Sequence, residues 1–320
     1  MYIGIDLGGT GIKHGLVSNQ GISDRVGNLS TRSHLGRDAV IDRLCDCIDR
    51  LLNRARKLSV PIKGIGLGIA GPLNFETGIV YEAPNLPGWK DVPIRDIIGD
   101  RFDLPTVVEN DANAAVYGEW WRGCGQGSSR MIGLTLGTGV GGGIIINSKL
   151  YRGADGVAGE IGHICLDPKG PKCVCGSAGC LEAFVSATAW VRRAKEEISS
   201  GKKTLIIQLA ENDMDRITSV MVHQAQKQGD PVAARLFEEA AYYLGVGIAS
   251  LVNLFNPEIV SLSGGMANAG EDLFGPLRRV VAERAFERPA KRVKILQSKL
   301  IDRAGVIGAA GLARRSQLAE

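Results

Sequence analysis

A Gly/Thr turn set between two apolar strand signals occurs twice in this chain, and it restricts the possible folds more than any other feature. Ile3 to Val17 reads IGIDLGGTGIKHGLV, and Ile132 to Ile145 reads IGLTLGTGVGGGII. With one residue of slippage, Gly9-Thr10-Gly11-Ile12 overlies Gly137-Thr138-Gly139-Val140. A repeat spaced by more than a hundred residues is too wide for a solenoid and points to two related halves. Two Gly-rich turns whose backbone N–H groups can face one anion suit a nucleotide phosphate tail held between those halves.

Gly137-Thr138-Gly139-Val140-Gly141-Gly142 also satisfies G-x-G-x-x-G. That dinucleotide fingerprint needs a helix directly after the turn, so that the pyrophosphate rests on the helix N-terminus. Residues Gly143 to Tyr151 are instead strand-like and carry no N-cap signal. The Rossmann reading is therefore rejected, and no G-x-x-x-x-G-K-[ST] offers a P-loop. A strand–glycine turn–strand cradle, used twice, is what remains.

At 320 residues the chain is long enough for two domains. Its 43 glycines are well above the usual ~7%. Net charge is a mild +4. The basic run Arg278 to Lys294 is interrupted by Glu283 and Glu287, which favours a solvated helix face over a nucleic-acid patch. No segment reaches the ~18 apolar residues of a membrane span, and Ala240 to Phe255 reads as a buried helix ending at Asn256-Pro257. Met1 leads directly into strand one, from which neither a signal peptide nor a DNA-binding extension is expected. The seven cysteines fit metal ligation in a reducing compartment better than a disulfide framework.

Apolar residues at helical spacing predict a helix over 38–57, and further helices are predicted near 93–101, from 110 to about 121, through 180–255, near 271–286 and from about 304. Strands are predicted at 62–69, 105–109, 130–151, 259–262 and 293–297. The segment 82–89, with two prolines, is expected to be an ordered loop. Strands alternating with helices, plus hairpins, indicate α/β layers with a mixed sheet in each half.

Asp6 ends strand one just before Gly8-Gly9-Thr10. A carboxylate beside a phosphate cradle repels the anion unless a divalent cation intervenes, so Asp6 points to water-mediated Mg²⁺. A turn-capping carboxylate is the plain alternative. Lys13 can supply a point charge to phosphates, or it can be a solvated strand lysine. His163-x9-Cys173-x-Cys175-x4-Cys180 makes a Cys₃His set suited to tetrahedral Zn²⁺. Four protein ligands leave no open position, so this metal is expected to be structural. Asn110-Asp111 sits at a strand-to-helix junction, where capping alone explains both residues. Glu160 and Glu182 flank the metal loop and suit a polyhydroxylated ligand, because each desolvated hydroxyl wants a partner. Asp167, followed by Pro168, is expected to open a turn.

The motifs DLGGTGIK (6–13), ENDANAA (109–115), LTLGTGVGGG (134–143), GEIGHI (159–164), CVCGSAGCLE (173–182) and LSGGM (262–266) occur in this order over nearly the whole chain. Together they resemble the ROK family of bacterial sugar kinases, repressors and related proteins, and the loop APNLPGW (83–89) looks most like the glucokinases of that family. The resemblance implies an α/β, actin-like ATPase (ribonuclease H-like) fold of two domains with mixed sheets and an interdomain active-site cleft. The division expected is 1–118 plus a C-terminal helix 304–320, and 119–303 with the zinc loop. The resemblance implies Asp111 as catalytic base, which overrides the capping reading. Gly71, Asn85, Asn110, Glu160, His163 and Glu182 are implied as sugar contacts, and His163, Cys173, Cys175 and Cys180 as zinc ligands. Asp6, Gly8, Gly9, Thr10, Lys13, Gly137, Thr138, Gly139, Gly264 and Gly265 would bind ATP and Mg²⁺.

The activity implied is transfer from ATP to the 6-hydroxyl of a hexose, with glucose first and N-acetylmannosamine, fructose or allose as alternatives. A non-catalytic sugar-sensing member is the rival class. The GGTGIK turn is also similar to polyphosphate-using glucokinases, but those commonly lack the cysteine cluster, which favours ATP. A cytoplasmic homo-oligomer (dimer or tetramer) without nucleic-acid or membrane partners is expected.

Overall fold

In the computed structural model, which describes residues 1–21 and 25–318, β1 (Tyr2–Leu7) turns into β2 (Gly11–Val17), and β3 (Gly27–Ser30) follows. Next come α1 (Arg37–Lys57), β4 (Ile65–Ile69), β5 (Leu73–Asn74), β6 (Ile79–Glu82), β7 (Lys90–Val92), α2 (Ile94–Phe102), β8 (Thr106–Asn110) and α3 (Asp111–Arg122). The second glycine turn joins β9 (Arg130–Leu136) to β10 (Val140–Ile146), with β11 (Lys149–Leu150) after it. Five helices then run in succession: α4 (Leu181–Val185), α5 (Ala187–Ser199), α6 (Leu205–Leu209), α7 (Ser219–Lys227) and α8 (Pro231–Phe255). The remaining elements are β12 (Ile259–Ser263), α9 (Glu271–Arg284), α10 (Glu287–Arg292), β13 (Lys294–Gln297) and α11 (Ala304–Ser316).

The chain divides into two units. One comprises Met1–Ile132, Gly143–Gly159 and Ser298–Glu320, and the other Gly133–Gly142 and Glu160–Gln297. These boundaries fall at 132/133 and 297/298 rather than at 118/119 and 303/304. The reason lies in α3, which packs along α11 and so carries the residues after 118 into the first unit.

In the first unit the sheet order is β3-β2-β1-β4-β8. β1 pairs antiparallel with β2 and parallel with β4, and β4 pairs parallel with β8, so the sheet is mixed. Helix α1 covers one face with Val40, Leu44, Ile48 and Leu51, a helical stripe that joins Ile3, Ile5, Ile65 and Leu67 in the core. Helix α11 covers the other, and Ala304 to Ala313 are all buried. Its Ala/Gly composition permits backbone-to-backbone approach. A Cβ at Gly308 would lie 1.7 Å from the Ala114 carbonyl oxygen, and one at Gly4 would lie 2.0 Å from that of Val306. Gly308→Ala is therefore expected to cost about 1–3 kcal/mol of stability, read as a lower denaturant midpoint at unchanged slope.

The second five-stranded sheet has the order β11-β10-β9-β12-β13, and β9 and β10 each run from one unit into the other. β12 and β13 are parallel. Helix α8, the buried segment expected from the apolar run, starts on Asp230. One carboxylate oxygen of Asp230 accepts from Ala233 N at 2.8 Å, and the other accepts from Leu205 N at 2.7 Å. Among the described residues no helix is long and apolar enough to cross a membrane.

Three details differ from the pattern read in the sequence. A three-stranded sheet, β5-β6-β7, frames the proline loop, its strands being too short to show period-2 alternation. β3 lies between the first strand pair and α1, where no strand was predicted. The helical run 180–255 is cut into five pieces, with Ser186, Thr204, Thr218 and Asp230 each capping a new start. The basic run falls on α9 and α10, where Arg278 pairs with Glu271 and Lys291 with Glu287.

Candidate active site

Both glycine turns lead from strand to strand, and no helix follows either. In the first, Gly8 N donates to Gly11 O at 2.9 Å. In the second, Gly137 N donates to Gly139 O at 3.0 Å, a ring one residue tighter that accounts for the slippage between the repeats. Thr31 holds the first turn, its hydroxyl donating to Gly8 O at 2.6 Å and its N–H to Thr10 O at 3.0 Å. Gly9 leaves room for Asn85, because a Cβ there would fall 2.7 Å from the Asn85 Cβ. The proline loop is thereby seated on the turn.

Asp6, Lys13 and Asp111 come together in the first unit. Burial pushes the Asp6 carboxyl up to about 6, and the Asp111 carboxylate pushes in the same direction. Burial also raises Asp111, against the opposing bond that its Oδ1 accepts from Ala112 N at 2.8 Å. Two carboxylates resisting ionisation side by side form a site that a divalent cation would relieve. Lys13 reaches Asp302 at 2.9 Å instead of standing free.

Asn110, not Asp111, is the cap of α3. Its Oδ1 accepts from Ala112 N at 2.9 Å and from Asn113 N at 3.1 Å, which leaves Asp111 as the first helical residue. Asn110 Nδ2 donates to Gly71 O at 3.4 Å. Gly71 has φ 118° and a Cβ there would lie 2.1 Å from Glu82 O, so only glycine serves at this turn. Beneath this cap lies a pair that sequence reasoning missed. Glu109, 1% exposed, accepts from Asn110 N at 3.0 Å, from Asn113 Nδ2 at 3.1 Å and from Arg152 Nε at 2.7 Å. Arg152 in turn lies over the Phe75 ring at 4.6 Å. The signal available was a carboxylate directly before Asn110, but its partner lies 43 residues on.

In the second unit Glu182 is placed at the glycine turn. Its Oε2 accepts from Val140 N at 2.8 Å, and a Cβ on Gly139 would lie 2.4 Å from that oxygen. The N-terminus of α5 closes on the same turn, with Ala187 N donating to Gly137 O at 3.0 Å and Thr188 Oγ1 to Thr138 O at 2.8 Å. Gly264, with φ 92°, brings the loop after β12 against β9, where a Cβ would lie 2.2 Å from Leu136 O. An apolar cavity of about 450 Å³ adjoins these turns, lined by Gly137, Thr138, Trp190, Phe237, Gly265 and Met266 among others. It has the size and lining of a small-molecule pocket. We expect Gly139→Ala to displace Glu182 and to lower stability, read as a lower denaturant midpoint. The loss is that of a charge-assisted bond worth roughly 1.5–3 kcal/mol.

His163, Cys173, Cys175 and Cys180 place one ligand atom each within 4.8 Å of one another. Cys173 Sγ is 3.6 Å from His163 Nδ1, and Cys175 Sγ is 3.7 Å from Cys180 Sγ. A tetrahedron with Zn–S bonds of about 2.3 Å has edges of roughly 3.8 Å, so the four residues fit zinc. Glu160 is exposed at the start of the short 3-10 turn Ile161–His163. Asp167 opens a turn as expected, its Oδ1 accepting from Lys169 N at 2.9 Å.

Paired strand–turn–strand units, a carboxylate pair at the first and a pocket at the second define an actin-like ATPase fold. The chain belongs to the ROK family, whose profile matches residues 2–316. It is 38% identical to a glucokinase of Halalkalibacterium halodurans, over 99% of this chain and 96% of that one. It is also 38% identical to a xylose repressor of Caldicellulosiruptor bescii, over 96% of this chain and 76% of that protein. A crystal structure of a ROK family glucokinase from Streptomyces griseus, in complex with glucose and AMPPNP, superposes with a TM-score of 0.84. It is 37% identical and the match covers 98% of this chain and 99% of that one.

Proposed function

We propose that this chain is an ATP-dependent glucokinase that phosphorylates the 6-hydroxyl of the sugar with Asp111 as base. Full-length likeness to glucokinases, one of them solved with glucose and AMPPNP, supports the activity and both substrates. The observation that carries the mechanism is Asp111, held at the first position of α3 with its carboxyl raised by burial. A base raised above the ordinary carboxylate range is better matched to taking a hydroxyl proton near neutral pH. As the sugar oxygen attacks the γ-phosphorus, Asp111 accepts its proton and orients it. In a loose transition state most of the rate comes from such positioning and from charge neutralisation.

Gly137, Thr138, Gly139, Gly264 and Gly265 are assigned to the nucleotide, and Gly8, Gly9, Thr10 and Lys13 to its phosphates. Asp6 is assigned to Mg²⁺, which supplies charge neutralisation when bound. Gly71, Asn85, Asn110, Glu160, His163 and Glu182 are assigned to the sugar, Glu182 serving the turn with Oε2 and the sugar with Oε1. His163 Nδ1 belongs to the structural zinc set, which leaves Nε2 for a hydroxyl. A cytoplasmic homo-oligomer remains our expectation.

Coupled ADP release over a panel of hexoses and N-acylated hexosamines, repeated with polyphosphate as donor, tests this reading. Glucose with ATP should give the highest kcat/KM. The repressor likeness favours one second reading, a sugar sensor. Sugar binding with no ADP release on any member of the panel would establish that reading and sink ours.

A further inference from the structure

The first unit carries a cavity whose lining has been given no role so far. It has a volume of about 280 Å³ and is lined by Gln20, Gly21, Arg122, Lys299, Leu300, Arg303 and Ile307. Three of these side chains are cationic and none is acidic. Among the described residues no carboxylate forms an ion pair with Arg122, Lys299 or Arg303. Arg314 adds positive potential nearby, lying 5.6 Å from the Trp121 ring that Arg122 stacks on at 4.7 Å. Three like charges with no ion-paired carboxylate among the described residues repel one another and focus a field that attracts anions, and the Glu119 carboxylate behind Lys299 and Leu300 offsets only one of them.

Arg122 is held ready for a ligand. Its guanidinium carbon lies 4.7 Å from the Trp121 ring centroid, a Cβ on Gly21 would fall 2.2 Å from its Cγ, and its terminal nitrogen donates to Asn19 O at 3.4 Å. Its Nε is nevertheless buried with no hydrogen-bond partner. A buried donor left unmade costs free energy that a bound acceptor would recover. Complementing the C-terminal dipole of α3 accounts for one cation at this place. It does not account for Lys299 and Arg303, which come from a different segment. That segment is fixed by Glu119, 2% exposed, which accepts from Lys299 N at 3.1 Å and Leu300 N at 2.7 Å. The Arg122 side chain and the Lys299–Leu300 backbone are thus each held by hydrogen bonds.

We infer that this cavity binds a small phosphate-bearing anion, with Arg122, Lys299 and Arg303 as its ligands. Guanidinium forks match phosphate oxygens, and Lys299 adds a point charge. The volume admits an inorganic phosphate or one small phosphate ester. Leu300 and Ile307 supply an apolar wall for the carbon part of an ester. The inference goes beyond the sugar-kinase reading, whose own site also takes phosphate, so the cavity is read from the difference between wild type and variants.

Thermal unfolding of the full chain, without sugar or nucleotide, tests it at constant ionic strength as chloride is replaced by inorganic phosphate or by glucose 6-phosphate. Each wild-type titration that binds should raise Tm saturably, by roughly 3 °C or more. Lys299→Gln/Arg303→Gln should diminish that rise while keeping the Tm measured in chloride, since both side chains are exposed. Saturation at lower concentration with glucose 6-phosphate assigns the ester as the ligand, and the reverse order assigns the free anion. A rise in the double variant equal to that of the wild type, or no rise with either anion, overturns the proposal. Arg122→Gln, read in the same titration, guards against a surface effect by removing the buried donor. An undiminished rise in that variant counts against the site as well.

Discussion

Asp111→Asn is expected to leave a folded, sugar-binding protein whose kcat has fallen by about 10²–10⁴, the range that loss of a positioned general base produces. Oδ1 of the asparagine can still accept from Ala112 N, and Asn110 still caps α3, so the helix start survives the change. The KM for sugar should move far less than kcat, because the interaction removed is made in the transition state. A second readout concerns stability. Burial raises the Asp111 carboxyl in the folded chain above its ordinary value, so the folded state binds the proton more tightly than the unfolded one. The stability this contributes is complete below about pH 4 and is lost as pH rises through the raised value. Asp111→Asn should therefore be more stable than the wild type at pH 8 and indistinguishable at pH 4. Asp6, raised to about 6, acts with the same sign between about pH 4 and 6. Wild-type turnover in Asp111→Asn would remove the residue from catalysis. An unchanged pH–stability profile would remove the buried-charge account.

Cys175→Ser is the second change of large expected effect. Three thiolates and an imidazole gather only if a cation compensates them, and one hard hydroxyl in place of a thiolate degrades a soft tetrahedral site. Bound zinc should fall from stoichiometric to a trace by metal analysis, and stability by about 3 kcal/mol or more. Activity should fall with it, because Cys180 directly precedes α4, and α4 carries the Glu182 that holds the second glycine turn. Val174→Ser, one residue away and 91% exposed, is the matched control and should change neither metal content nor activity. Full zinc occupancy in Cys175→Ser would show that the four residues are not the ligand set.

What was legible beforehand followed from local rules. The two strand–turn–strand units declared themselves because β-branched residues straddle glycine clusters, and the absence of a helix after Gly143 excluded the dinucleotide fold correctly. The clustering of His163, Cys173, Cys175 and Cys180 was legible because they lie within eighteen residues. Contacts that join distant segments were not. Glu109 reads as one acid in a capping sequence, and nothing local reveals that Arg152 will neutralise it. Lys13 reads as a free cation until the segment bearing Asp302 is folded beside it. Glu182 was read as a sugar ligand, and its bond to Val140 N depends on how the metal loop returns to the turn. The strands around the proline loop escaped notice because two to four residues are too few to express a period.

The glycine-mediated contact of α11 with β1, β4 and α3 has a consequence for synthesis. The second unit needs nothing beyond Gln297, whereas the first, though begun at residue 1, lacks one face of its sheet until residues 304–316 are made. At translation rates of roughly 5–20 residues per second, β1 and β4 wait on the order of 10–50 s for the helix that covers them. During that interval the glycine-rich face that carries Tyr2, Gly4, Asp6 and Gly66 is open to solvent and to other nascent chains. Folding order thus inverts chain order, and the half of the protein holding Asp6 and Asp111 is the last to close.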